Sequence, residues 1–175
     1  PRPARSSKKR NRLFCLSLEE VESRYLLSGY TFTKIADTTG FLADFYGRTP
    51  SINASGAVAF VAGLDDGGRG VYTGSGGPLT TIVERHDGFQ TSFGVPSINS
   101  DGTVAVTASG LLSGVMRGNG GPLTTIATVG GKYTAFGGGP GINDNGVVAF
   151  RGAGTGYDSV AVGSGGAITT IADSN

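Results

Sequence analysis

Side chains able to do acid–base, nucleophilic or metal chemistry are few in these 175 residues, and most stand alone. The one histidine, His86, lies in Glu84-Arg85-His86-Asp87, and the one cysteine, Cys15, lies far upstream of it. An imidazole among carboxylates can act as a general base where it reaches a substrate proton. Asp65-Asp66, or Glu84 with Asp87, could supply the carboxylate pair that glycoside cleavage uses. A single imidazole cannot build a histidine cluster for zinc, and a single cysteine excludes an intrachain disulfide. Asn99-Ser100-Asp101-Gly102 and Asn143-Asp144-Asn145-Gly146 look like calcium loops but lack the alternating oxygen ligands and closing glutamate of an EF-hand. The glycine-rich stretch 74–77 carries no Walker lysine and precedes no helix, so it does not read as a phosphate cradle. The sequence therefore predicts no catalytic residue, no cofactor and no metal site, and treats these polar groups as residues of solvated loops.

The elements that must position them are repeats. Pro50-Ser51-Ile52-Asn53-Ala54-Ser55-Gly56-Ala57-Val58-Ala59-Phe60 returns around Asn99 and again around Asn143. A second phrase, Gly-x-Gly-Gly followed by Pro78-Leu79-Thr80-Thr81-Ile82, returns at Pro122–Ile126 and, with Ala167 and Ile168 leading, at Thr169-Thr170-Ile171. A fixed period of this length marks a repeat architecture. Each unit reads as four short strands: 57–62, 70–73, 79–84 and 93–98 in the first complete copy, with counterparts in the second and the incomplete third. Thr31–Asp37 aligns with the third of these strands, so the chain is expected to enter a unit at its middle. Both faces of 57–62 are apolar, which predicts a strand buried on both sides, and the recurring Ala59, Ala105 and Ala149 predict close approach of neighbouring sheets. Each Asn-x-x-Gly is a turn in which the Asn side chain bonds its own backbone and the Gly adopts positive φ.

Where the units diverge, side chains are free to bind. The candidate ligand-binding positions are Asp65, Asp66, Arg69, Arg85, His86, Asp87, Tyr157 and Asp158. All lie between the first and second strands of a unit or just after the third.

The 32 glycines and 7 prolines would suggest low complexity if scattered, but most recur at fixed turn positions. Net charge is +1 and unevenly spread: residues 1–29 carry seven basic and three acidic side chains, the remainder seven and ten. The repeat region thus lacks the concentrated positive surface that nucleic-acid binding needs. Residues 1–16 read as a disordered basic leader and 17–29 as a short amphipathic helix with a Ser17-x-x-Glu20 capping box. The apolar run there is too short and interrupted for a membrane span or an ordinary signal peptide.

Leu18, Glu19, Glu22, Arg24, Leu26, Leu27 and Ser28, preceded by basic residues, resemble the N-terminal motif of planctomycete extracellular proteins; Val21 departs from it. The resemblance implies an extracellular, periplasmic or cell-surface location. The repeat resembles the bacterial Asn-x-x-Gly-x-x-Ala-Phe tandem-repeat family of surface proteins, matched in full by Asn53–Phe60 and Asn143–Phe150 and with Val106 replacing Phe in the middle copy. It implies an all-β, β-propeller-like array of about three four-stranded antiparallel blades over residues 30–175, with units at 30–52 (partial), 53–98, 99–142 and 143–175. Three blades are fewer than closed propellers use. The array is then part of a longer one, half of a six-bladed ring made by two copies, or an open arc that self-associates through exposed edges. The expected function is a binding, adhesion or scaffolding module for protein or glycan, without catalysis. The alternatives are a propeller-type hydrolase or lyase and a purely structural repeat.

Overall fold

A computed structural model describes residues 31–86 and 90–174. The expected leader and capping-box helix lie outside the described residues. Among the described residues the chain is all-β, with fifteen strands in three antiparallel sheets.

The first sheet comprises β1 (Leu42–Asp44), β2 (Ser51–Ile52), β3 (Val58–Leu64), β4 (Arg69–Gly74) and β5 (Thr80–Arg85). The second comprises β6 (Thr91–Phe93), β7 (Ser97–Ile98), β8 (Val104–Gly110), β9 (Gly114–Gly118) and β10 (Thr124–Thr128). The third comprises β11 (Ala135–Phe136), β12 (Gly141–Ile142), β13 (Val148–Gly154), β14 (Tyr157–Gly163) and β15 (Thr169–Asp173). In each sheet the two shortest strands pair end to end along one side of the next, so the four-strand unit is kept but its first strand is broken. The expected continuous strand 93–98 is thus corrected to β6 and β7. Gly94 and Pro96 interrupt it, since proline cannot donate to the ladder.

A second correction concerns residues 31–37, which form no strand. The matching positions β5, β10 and β15 are each the third arm of a meander, hydrogen-bonded to the strand before them. Residues 31–37 have no such preceding strand among the described residues. The last strand, β15, pairs with β14 and not with the first strands of the chain.

Side-chain alternation carries the packing. On the first sheet Ala59, Val61 and Val71 face one way and join Val104, Val106 and Met116 of the second sheet in one buried cluster. Ala105 and Val115, on the opposite face of the second sheet, join Val148, Phe150 and Ala161 of the third. Leu42, Phe60, Ala62, Leu64 and Tyr72 form a further cluster on the other face of the first sheet. Apolar residues on both faces of β3 and β8 are therefore buried as the sequence predicts. Strand β13 differs, alternating between buried and exposed, and Ala149 lies exposed although Ala59 and Ala105 are fully buried.

The β4–β5, β9–β10 and β14–β15 ladders share one irregularity. Val71 pairs with Val83 and Tyr72 with Thr81, so Ile82 is skipped. The second and third sheets skip Ile126 and Ile171 in the same way. A bulge of this kind re-aims a side chain. It lets the consecutive residues Ile82 and Val83 enter the same cluster, where an unbroken strand would send them to opposite faces.

The turns follow the Asn-x-x-Gly reading. Asn53 Oδ1 accepts the Ser55 and Ala57 N–H groups, and Gly56, Gly102 and Gly146 have φ of 82°, 79° and 72°.

Candidate functional site

The β3–β4 hairpin brings the first charged group to the end of its sheet. Gly67 adopts φ 83° and donates to the Leu64 carbonyl, and Gly68 N–H donates to Asp66 Oδ1 at 2.9 Å. That fixed hydrogen bond, together with nearby His86, holds the Asp66 carboxyl below the usual carboxylate range. Asp66 Oδ2 lies 2.9 Å from His86 Nδ1, just beyond the end of β5. The other ring nitrogen, Nε2, lies 3.7 Å from Glu84 Oε2. Glu84 Oε1 in turn accepts the Tyr72 hydroxyl at 2.8 Å. Burial, then this hydrogen bond to a carboxylate, pushes the Tyr72 hydroxyl pKa upward, so the phenol stays protonated and donating.

Arg69 and Arg85 stand directly opposite each other across β4 and β5. Like charges at such a pair oppose each other unless something draws them apart. The Arg69 guanidinium lies over the Tyr46 ring, 4.4 Å from its centroid. Tyr46 finds room because Gly63 has no side chain; a Cβ there would meet the Tyr46 ring 3.1 Å away.

The residues selected from the sequence therefore divide. Asp66, Arg69, Arg85 and His86 collect at one end of the first sheet. Asp65 shares the hairpin, but its contact is through the backbone, its N–H donating to the Phe41 carbonyl at 3.1 Å. Asp87 lies outside the described residues. Tyr157 and Asp158 belong to a separate group on the third sheet: Asp158 Oδ2 accepts from Arg151 Nη2 at 2.8 Å, and the Tyr157 hydroxyl donates to the Lys132 carbonyl. Lys132 Nζ also lies 5.7 Å from the Tyr157 ring centroid. Tyr46 and Tyr72 were not selected. Tyr72 was legible as the residue opposite Phe60 in a two-stranded register; Tyr46 left no signal except that it follows Phe45 where Gly94 and Gly137 follow Phe93 and Phe136.

The asparagines of the Asn-x-x-Gly segments bond their own turns. Asn99 Oδ1 accepts Thr103 N–H at 2.8 Å and Asn143 Oδ1 accepts Val147 N–H at 2.9 Å. Asp144 takes the Ser100 hydroxyl and N–H, which lowers its carboxyl pKa. Among the described residues no group of three or more His, Cys, Asp or Glu side chains is placed to hold a metal. No helix among them is long and apolar enough to cross a membrane.

Residues 29–174 match the model of DUF7453, a family of unknown function. The chain belongs to that family. The match spans the whole repeat region, so all three sheets are part of the DUF7453 unit. No curated protein and no solved structure matches the chain. In this DUF7453 chain the Asp66–His86–Glu84–Tyr72 sequence of contacts occurs only on the first sheet, because the second and third units carry neither a histidine nor a glutamate.

Proposed function

We propose that this chain is a secreted or cell-surface β-repeat module, a short propeller-like array that binds a glycan or protein without catalysing a reaction. The observation that carries the reading is the run of contacts from Asp66 through His86 and Glu84 to the Tyr72 hydroxyl, which gathers acceptors and donors at one end of the first sheet. Arg69 over Tyr46 lies on the other face of that sheet. Ordered carboxylates and an imidazole at an exposed sheet end suit a hydroxyl-rich ligand, since they accept from and donate to its hydroxyls. The extracellular setting is supported by the N-terminal Leu-Leu-Ser motif.

The same geometry speaks against hydrolysis. A catalytic imidazole directs one nitrogen to its orienting carboxylate and the other to a nucleophile. Here both nitrogens of His86 face carboxylates, and Asp66 and His86 are largely exposed. A glycan array probed with the purified chain tests the proposal. Retention of one glycan class, lost in both Asp66→Ala and His86→Ala chains that keep the native melting transition, is expected. Binding unaffected by either substitution, or turnover of a retained glycan, counts against it.

A further inference from the structure

We propose that the outer face of the third sheet is a seat for a second copy of this chain, which docks head to tail through the face of its first sheet that carries Phe45, Ile52 and Phe60. The two interfaces inside the chain show what such a seat holds. Ile82 and Ile126, the bulged residues of β5 and β10, are each 4 % exposed, whereas Ile171, bulged in the same register on β15, is 63 % exposed. Val71 and Val115 are fully buried, while Val160 at the same place is 47 % exposed. Ala149 repeats the contrast. The third sheet thus repeats the seat, bulge included, and leaves it uncovered among the described residues. One side chain departs from the pattern: Arg151 stands where Val61 and Thr107 stand, drawn onto Asp158 within its own sheet.

The complementary surface is on the first sheet. Phe93 and Ile98, which the second sheet presses against its neighbour, are buried; their counterparts Phe45 and Ile52 are 45 % and 68 % exposed. Two repeated contacts set the register. The Gly118 and Gly120 edge of the β9–β10 hairpin lies against Ile82 and Thr80, and the Gly163 and Gly165 edge lies against Ile126 and Thr124. On the first sheet the same edge, Gly74 and Gly76, lies against Ile35 and Thr33. Thr33-Lys34-Ile35 therefore takes the place that the Thr-Thr-Ile strand of the preceding sheet takes at the other two interfaces, although it forms no ladder. Thr169-Thr170-Ile171 of a second copy carries the side chains that this place takes elsewhere, and docking replaces the stand-in. An interface of this head-to-tail kind closes into a ring or extends as a filament.

The test is light scattering of the purified chain from micromolar to millimolar concentration, together with a cross-link. The native mass is expected to rise with concentration. Ile171→Asp, at an exposed edge position, weakens association about a hundredfold. Ile35→Asp, which loosens the stand-in, strengthens it about tenfold. In a Cys15→Ser background, a mixture of Leu79→Cys and Ile171→Cys chains gives an intermolecular disulfide under mild oxidation. A mass that stays that of one chain in both the native and Ile35→Asp proteins overturns the proposal and assigns the face to a different occupant. Association that survives Ile171→Asp, or absence of the cross-link in associated chains, overturns it as well.

Discussion

The side-chain amide of Asn53 donates to the backbone carbonyl of Asn99 at 2.9 Å, and the Asn99 amide donates in the same way to Asn143 at 3.1 Å. Each asparagine closes its own turn through Oδ1 and ties its sheet to the next through Nδ2. The residue that looks like a turn former is therefore also the polar link between repeats. Asn99 is nearly buried, so replacing it by alanine strands the Thr103 N–H as well as breaking the link. We expect Asn99→Ala to cost about 2–3 kcal/mol. Asn143→Ala is expected to cost less than half of that, because Asn143 is exposed and its amide reaches no further carbonyl among the described residues. Urea denaturation of the two variants side by side checks the ranking.

The valine that repeats in β4, β9 and β14 gives a second matched comparison. Val71→Ala and Val115→Ala remove methyl groups from close-packed clusters and are expected to cost about 2 kcal/mol each. Val160→Ala removes them from an uncovered surface, and its effect on the stability of the isolated chain is expected to stay within about 0.5 kcal/mol. Thermal melts at low protein concentration measure both, with the third sheet not yet covered by another chain.

The repeats were legible because their turn chemistry is explicit. Asn at the first position, Gly at the fourth and an apolar strand after it place β2–β3, β7–β8 and β12–β13 without ambiguity. The break between β6 and β7 was less legible, since Phe93 and Ile98 are both apolar and only Pro96 between them argues against a ladder. The bulge at Ile82 could not be read at all. Thr-Thr-Ile-Val alternates plausibly as a plain strand, and only the pairing with Val71 and Tyr72 reveals the skipped residue. At the candidate site, the sequence supplied the polar residues but not their partners. Asp65 and Asp66 are equivalent on paper; the hairpin decides between them by giving Gly68 N–H to Asp66. Tyr46 entered through a paired exchange. Where the second sheet has Gly94 and Ser109, the first has Tyr46 and Gly63, bulk moving from one strand to its neighbour.

Tyr72 and Glu84 offer a test of the site that needs no ligand. Tyr72 is fully buried and its hydroxyl donates to Glu84 at 2.8 Å. Tyr72→Phe keeps the ring and deletes the donor, and is expected to cost about 1 kcal/mol. Glu84→Gln keeps an acceptor for the hydroxyl but removes the charge beside His86 Nε2. Urea denaturation of the two variants should therefore place Glu84→Gln closer to the native chain than Tyr72→Phe.

Acid should loosen the chain at two identified carboxylates. Asp66 and Asp144 both have folded-state pKa values below their ordinary 3.8, held down first by Gly68 N–H and by the Ser100 hydroxyl respectively. A depressed carboxylate pKa gives stabilisation that is complete above the unfolded value and is lost as pH falls through the folded one. Stability from these groups should be flat above about pH 5 and decline below about pH 4. Asp144→Asn should flatten the decline and weaken the contact between second and third sheets. Asp66→Asn should flatten it while leaving that contact intact. Melting curves from pH 2 to 6, read with hydrogen exchange at the Ser100 amide, separate the two.

A backbone contact between the second and third sheets sets the last expectation. Gly94 N–H donates to the Thr107 carbonyl, and Val95 N–H donates to the Gly138 carbonyl at 2.7 Å, so two backbone segments of different repeats lie in contact. A Cβ on Gly94 would run into the Thr107 hydroxyl and into the Gly138 carbonyl oxygen, which cannot retreat without breaking its bond from Val95. Gly141, on β12 of the third sheet, has open space around the same added atom. Gly94→Ala is therefore expected to cost about 2–3 kcal/mol or to shift the two sheets apart, while Gly141→Ala is expected to be neutral within about 0.5 kcal/mol. Denaturant midpoints compare the two. Equal midpoints would show that the contact at Gly138 yields, and that the asparagine links rather than the backbone approach set the spacing of the sheets.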